Sequence, residues 1–136
     1  MAYSINHCVT MIRGCTQSLK KLTEDMETLN QLKKVMSELT SKVNQGNKYL
    51  KRTVSTLHSR VGEEHIKTFS GETANEHFSA LGRIERDANN YNNIVESANQ
   101  EIEYRIIYLT QRINDTNNNI SYWNDQLRIA EMEEDS

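Results

Sequence analysis

Apolar side chains recur every seven residues in two long rows, one on each side of Phe69-Ser70-Gly71. The first row is Cys8, Cys15, Leu22, Leu29, Met36, Val43, Leu50 and Leu57; the second is Ala74, Leu81, Ala88, Val95, Ile102, Leu109, Thr116, Trp123 and Ala130. Because an α-helix turns once in about 3.6 residues, a strict seven-residue stripe keeps facing its partner only when the helices wind around each other in a left-handed supercoil. The two rows therefore predict two long helices joined as a coiled coil.

Each row has a companion. In the first half, Ile5, Ile12, Leu19 and Met26 lie four residues on from row members, Leu32 and Leu39 lie three on, and Val54 and Val61 return to four. In the second half, Phe78 lies four on, Ile84, Tyr91 and Ala98 three on, and Ile106, Ile113, Ile120 and Leu127 four on. Folding the chain back at residues 67 and 68 sets residue i opposite roughly residue 135 minus i, and the two switched stretches then coincide. The pattern predicts an all-α fold, a long antiparallel two-helix coiled-coil hairpin forming a single domain over 1–136. Its helices are expected over about 4–62 and about 71–131, with a connection over about 63–70. Each arm carries a seam of about 56 residues, roughly 85 Å at the α-helical rise. Gly62 is placed to stop the first helix. Ser70 or Gly71 is placed to cap the second, with Glu72 in its first turn.

Asn44-Gln45-Gly46-Asn47 reads alone as a turn that would give a three-helix bundle. Val43 and Leu50 carry the heptad through it without a phase slip, so one continuous helix is expected, weakened at Gly46 by about 1 kcal/mol relative to alanine. The asparagines of Asn89-Asn90-Tyr91-Asn92-Asn93 and Asn117-Asn118-Asn119 mostly avoid the expected seam and read as a solvated or partner-facing surface.

Composition narrows the class further. The chain has 136 residues, no proline, five glycines and a formal charge of −3 with both signs interspersed. That suits uninterrupted helices and shows no electrostatic footprint for nucleic acid or anionic membrane. No stretch approaches the roughly 20 apolar residues of a membrane span. Met1 to Met11 lacks the basic start and apolar run of a secretory signal, so a cytoplasmic protein is expected, with signal-independent export left open. Cys8 and Cys15, seven apart, would stand roughly 10 Å apart along one helical face. That is too far for a disulfide between them; seam packing is the plain reading, and an intermolecular disulfide or reactive thiol the alternative.

Chemistry finds little footing. The histidines His7, His58, His65 and His77 show no helical ligand spacing; His65 and His77, with Glu63, Glu64 and Glu76, would gather at a solvated hairpin tip. No nucleophile elbow, phosphate-cradling loop or dinucleotide fingerprint occurs, and a two-helix hairpin has no concavity to desolvate a carboxylate. No enzyme, cofactor or metal site is expected. What remains is surface. Met11 and Val9 broaden the first seam near its start, and Tyr104, Ile107, Tyr108, Tyr122 and Ile129 broaden the second near its end. These regions meet at the open end of the hairpin. Met11, Tyr104, Ile107, Tyr108, Tyr122 and Ile129 are accordingly the expected interface for a helical partner, tyrosine beside aliphatic side chains being a common interface composition.

At the joint, Phe69-x-Gly71-x-x-Ala74-x-x-x-Phe78 places an aromatic, a glycine, a small residue and a second aromatic between two long helices. This resembles the W-x-G helical hairpins of Gram-positive type VII secretion systems. Among them it looks most like the longer accessory proteins encoded beside LXG-domain toxins, with Phe69 and Gly71 matching the tryptophan and glycine of the motif. The resemblance implies a chaperone or targeting factor that binds the helical LXG domain of a toxin and helps deliver it to the secretion machinery. A second small helical protein would join the complex, and self-association of the chain alone stays open. The chain departs from the family in its export signal, a tyrosine or phenylalanine followed four residues later by an acidic residue. Tyr91, Tyr104, Tyr108 and Tyr122 are followed at that distance by Val95, Tyr108, Arg112 and Gln126. The resemblance thus implies a partner without an address of its own, delivered with a complex. A self-associating coiled-coil tether and a regulatory or immunity protein are the rival readings.

Overall fold

The computed structural model describes residues 2–67 and 71–136, and their side chains apart from those at 58, 61–67, 71–75 and 77. Two helices, α1 (Ile5–Lys67) and α2 (Gly71–Asp135), form an antiparallel coiled-coil hairpin. Ser4 opens α1 as its N-cap: the His7 amide donates to Ser4 Oγ at 3.1 Å and the Cys8 amide to the Ser4 carbonyl at 3.0 Å. The helix runs through Asn44-Gln45-Gly46-Asn47 as expected. It also runs through Gly62 to Lys67, five residues beyond the expected stop. Glycine ends a helix by taking the left-handed conformation, and Gly62 instead stays helical. At the other terminus α2 extends through the acidic run to Asp135 rather than ending near 131. Ser136 Oγ donates to the Glu133 carbonyl at 2.9 Å, covering one of the carbonyls left open there.

The hairpin divides into two compact units. Unit 1 comprises residues 1–33 and 101–136, unit 2 residues 34–100. In unit 1 the seam is apolar apart from Thr116. Cys8, Ile102 and Ala130 are buried, while Ile5, Ile12, Leu19, Met26, Ile106, Ile113, Ile120 and Leu127 are half-buried beside them. Thr116, the one polar member of its row, donates its hydroxyl to the Arg112 carbonyl at 2.8 Å, which leaves its methyl for packing. Lys33 Nζ reaches Glu103 at 2.8 Å across the two helices.

Unit 2 departs from expectation. Leu32 at its border, Ile84 and Tyr91, the companions placed three residues on, are exposed at 44%, 43% and 50%; Leu39 and Ala98 are half-buried. Four-on residues Thr40, Asn47, Asn92 and Asn99 are half-buried, so the seam takes in polar side chains, while Lys33 and Glu85 stay exposed. Asn99 donates to Thr40 Oγ1 at 2.9 Å, and the Asn47 amide donates to the Asn92 side-chain oxygen. Seven residues forward on α1 is seven back on α2, which is the signature of antiparallel pairing. The matched stretches thus hold two facing polar pairs, with the three-on Leu39 and Ala98 half-buried beside Thr40–Asn99. Lys33 meets a residue adjacent to the simple reflection, whereas Thr40 and Asn47 meet partners one turn beyond it. Asn92, expected on the solvated surface, is half-buried here. A seam whose companions switched would need each helix to rotate locally about its axis. Holding the phase leaves the rest of the heptad packing undisturbed, and each buried amide or hydroxyl finds its partner.

Two stability measurements follow from this packing. A Cβ added at Gly14 or Gly82 meets nothing within 4 Å, so Gly14→Ala and Gly82→Ala should each stabilise the hairpin by up to about 1 kcal/mol in urea unfolding followed by circular dichroism. Asn92→Leu alone strands the Asn47 amide in the seam and should cost about 1 kcal/mol, whereas the double change Asn47→Leu/Asn92→Leu should restore or exceed the original stability.

Candidate interaction site

In unit 1 the six residues expected at an interface differ in how far they turn from the seam. Tyr104 and Ile107 follow Ile102 by two and five residues, offsets that turn them away from the seam, and they are 71% and 62% exposed. They do not broaden the seam; they form an outward cluster with Tyr108, which is 56% exposed. Arg112 steadies Tyr108 by donating to its hydroxyl at 3.0 Å, with the guanidinium carbon 5.8 Å from the ring centre. Tyr122 and Ile129 stand one residue before row members Trp123 and Ala130, on one flank of α2 that also carries Tyr108. Both remain nearly half exposed. Met11 is half-buried.

The aromatic cluster around Trp123 was not evident from the heptad pattern. Tyr3, just before the Ser4 cap, sets its ring 4.9 Å from Trp123 edge-on, and stacks on His7 at 5.3 Å. His7 in turn meets Trp123 edge-on at 5.3 Å, and Tyr122 does so at 5.0 Å. Edge-to-face pairs of this kind contribute about 0.5–1.5 kcal/mol beyond their buried area. The signal that could have exposed the cluster is the aromatic directly before an N-cap, a position that packs back onto the first turn. The Tyr122 phenol is held above its ordinary value of 10.0, chiefly by a hydrogen bond with the Tyr3 side chain. Desolvation, and the like charges Tyr3 and Cys8 would present on ionising, act in the same direction.

In unit 2 the two sides of the seam differ. One side has a groove rimmed by Asn44, Lys48, Lys51, Glu85 and Asn89 over Leu50, Val54 and Ala88. The other has a shallow apolar groove lined by Val43, Gly46, Leu50, Ile84, Ala88 and Tyr91. Of the joint motif, Gly71 opens α2, Ala74 lies in its first turns and Phe78 is half-buried, while Phe69 lies outside the described residues, as does the Ala74 side chain.

Among the described residues no group of three or more histidine, cysteine, aspartate or glutamate side chains is placed to hold a metal ion. The side chains of His58, His65 and His77 lie outside that set. Cys8 and Cys15 are free, the first buried and the second half-buried. No described helix is long and apolar enough to cross a membrane. No protein-family model, curated protein or solved structure matches the chain.

The raised Tyr122 value has a definite sign. The neutral phenol is favoured in the folded hairpin, so its contribution is complete below pH 10 and is lost as pH climbs through the raised value. Spectrophotometric titration of the tyrosines, with Trp123 emission as a local reporter, should show late ionisation of Tyr122 coinciding with a change at Trp123. Tyr3→Phe should move that ionisation back toward the ordinary range.

Proposed function

We propose that this chain is a non-enzymatic helical partner protein that binds the LXG domain of a type VII secreted toxin and helps deliver it to the secretion machinery. The observation that carries the reading is the exposure of Tyr108, Tyr122 and Ile129 on one flank of α2 at multiples of seven residues. That spacing suits a further helix laid along α2, which is how a helical toxin domain would extend the hairpin into a composite bundle. The resemblance of Phe69-x-Gly71-x-x-Ala74-x-x-x-Phe78 to the W-x-G joint supplies the biological setting. In that setting the protein acts in the cytoplasm and accompanies its partner toward export.

Tyrosine suits the task because its ring supplies contact area at low entropic cost while its hydroxyl hydrogen-bonds, as Tyr108 does with Arg112 and Tyr122 with Tyr3. Tyr104 and Ile107, turned further outward, would touch only a second partner, the place for another small helical protein in the complex. A self-associating tether is the reading from a different class. It predicts assembly of the chain alone rather than capture of a toxin domain.

Co-expression with the helical domain of a neighbouring toxin, followed by affinity purification, should recover a stable complex. Tyr108→Glu/Tyr122→Glu should abolish capture while leaving the helical circular dichroism signal in place. Capture that survives the double change would remove this flank from the interface, and absence of binding by the unaltered chain would sink the toxin reading.

A further inference from the structure

The groove on the polar side of the unit 2 seam has a volume of about 570 Å³, an ordinary size for a ligand site. Leu50, the buried Val54 and Ala88 lie at its base. Asn44 on α1 and Asn89 on α2 stand exposed on its rims, each offering an amide donor and a carbonyl acceptor. Between them Asn92 accepts from Asn47 through its carbonyl, which leaves the Asn92 amide group open to solvent at the groove. Lys48 and Lys51 stand exposed on the α1 rim, one turn apart. Neither forms an ion pair with Glu85, the acid on the α2 rim, or with any other carboxylate among the described residues. Arg86 lies five residues on from Leu81, as Lys48 does from Val43, and equal offsets turn to the same side of an antiparallel pair. A chain of formal charge −3 thus keeps a local excess of cations here.

We infer that this groove binds a short extended peptide segment that carries an acidic side chain. A covering helix would need an apolar stripe, and the positions one on from row members are here Asn44, Lys51, Asn89 and Glu96. An extended chain needs something else. Its backbone presents an N–H and a C=O at every residue, and the asparagine side chain, itself an amide, pairs with both. Asn44, Asn89 and Asn92 supply such groups from both helices. The α1 lining runs from Asn44 to Val54, about 15 Å of helix, which matches four or five residues of extended chain at roughly 3.3 Å each. Alternate side chains of that segment would face Leu50, Val54 and Ala88, and those between would rise to the level of the rim. There Lys48 and Lys51 meet a carboxylate, while Glu85 repels a second one placed toward α2.

This assignment is independent of the toxin reading, because it uses unit 2 and leaves Tyr108 and Tyr122 free. The test is a nuclear magnetic resonance titration of the full chain, labelled with ¹⁵N. The probes are capped five-residue peptides of alanine and valine with glutamate at the centre, and the same peptides with glutamine there. The glutamate peptides should shift the side-chain amide signals of Asn44, Asn89 and Asn92. They should bind at least roughly threefold more tightly than the glutamine peptides at low salt, with the difference shrinking as sodium chloride is added. Lys48→Gln/Lys51→Gln should erase the preference for glutamate, and Lys20→Gln/Lys21→Gln in unit 1 should leave it intact. The salt series on the unaltered chain gives a second readout should the double variant fail to fold. Equal binding of the two peptides, a preference that survives Lys48→Gln/Lys51→Gln, or a titration that moves none of the three asparagines would each overturn the assignment. Inorganic phosphate bound as tightly as the glutamate peptides would overturn it too, leaving a site for a point anion alone.

Discussion

Everything in this hairpin depends on how little of each helix a two-helix seam can cover. A supercoiled pair buries a stripe two positions wide in every seven, and any further apolar side chain must face outward. Unit 1 spends its stripe on aliphatic layers closed by the Tyr3–His7–Trp123 cluster. Unit 2 spends part of its stripe on Thr40–Asn99 and Asn47–Asn92 and turns isoleucine, valine and tyrosine to the outside. The same limit that makes the fold simple therefore leaves apolar side chains on the surface.

Polar layers in a seam cost stability and return specificity. Each joins a donor to an acceptor across the helices, so a displaced pairing strands both groups. Thr40 and Asn47 sit one heptad apart, as do Asn92 and Asn99. A slide of one heptad would set Thr40 against Ile106 and Asn92 against Val54 in one direction, or Asn47 against Glu85 and Asn99 against Lys33 in the other. The aliphatic layers of unit 1 lack this discrimination, since leucine and isoleucine pack acceptably in several registers. The polar pairs of unit 2 therefore discriminate between registers, while buried apolar residues hold both units: Cys8, Ile102 and Ala130 in unit 1, Val54, Leu81 and Val95 in unit 2.

The two helices and their antiparallel pairing were legible because a seven-residue period is a global signal, repeated until chance cannot imitate it. The companions of the middle stretch were not, because apolar character alone favours Leu32, Ile84 and Tyr91. Only the facing of two polar pairs, which depends on both arms at once, reveals why Asn47 and Asn92 prevail. Gly62 misled for a related reason. A glycine marks a helix end only when the chain has cause to turn there, and here the heptad pairing carries α1 onward. The residues expected at an interface were singled out by an excess of aromatics near one end. Which way each pointed required helical phase, and phase separates Tyr104 and Ile107 from Tyr122 and Ile129.

The facing layers also dictate which changes of length the molecule could tolerate. Residues added at the joint lengthen a loop and leave every pairing intact. A single residue gained or lost within either arm would rotate all that follows by about 100° and turn the stripe away from its partner. Even a whole heptad inserted into one arm alone, between the joint and Thr40, would carry Thr40 past Asn99. Compatible growth must come in heptads and in both arms together, so related hairpins should differ in length by paired steps of seven while their joints vary freely.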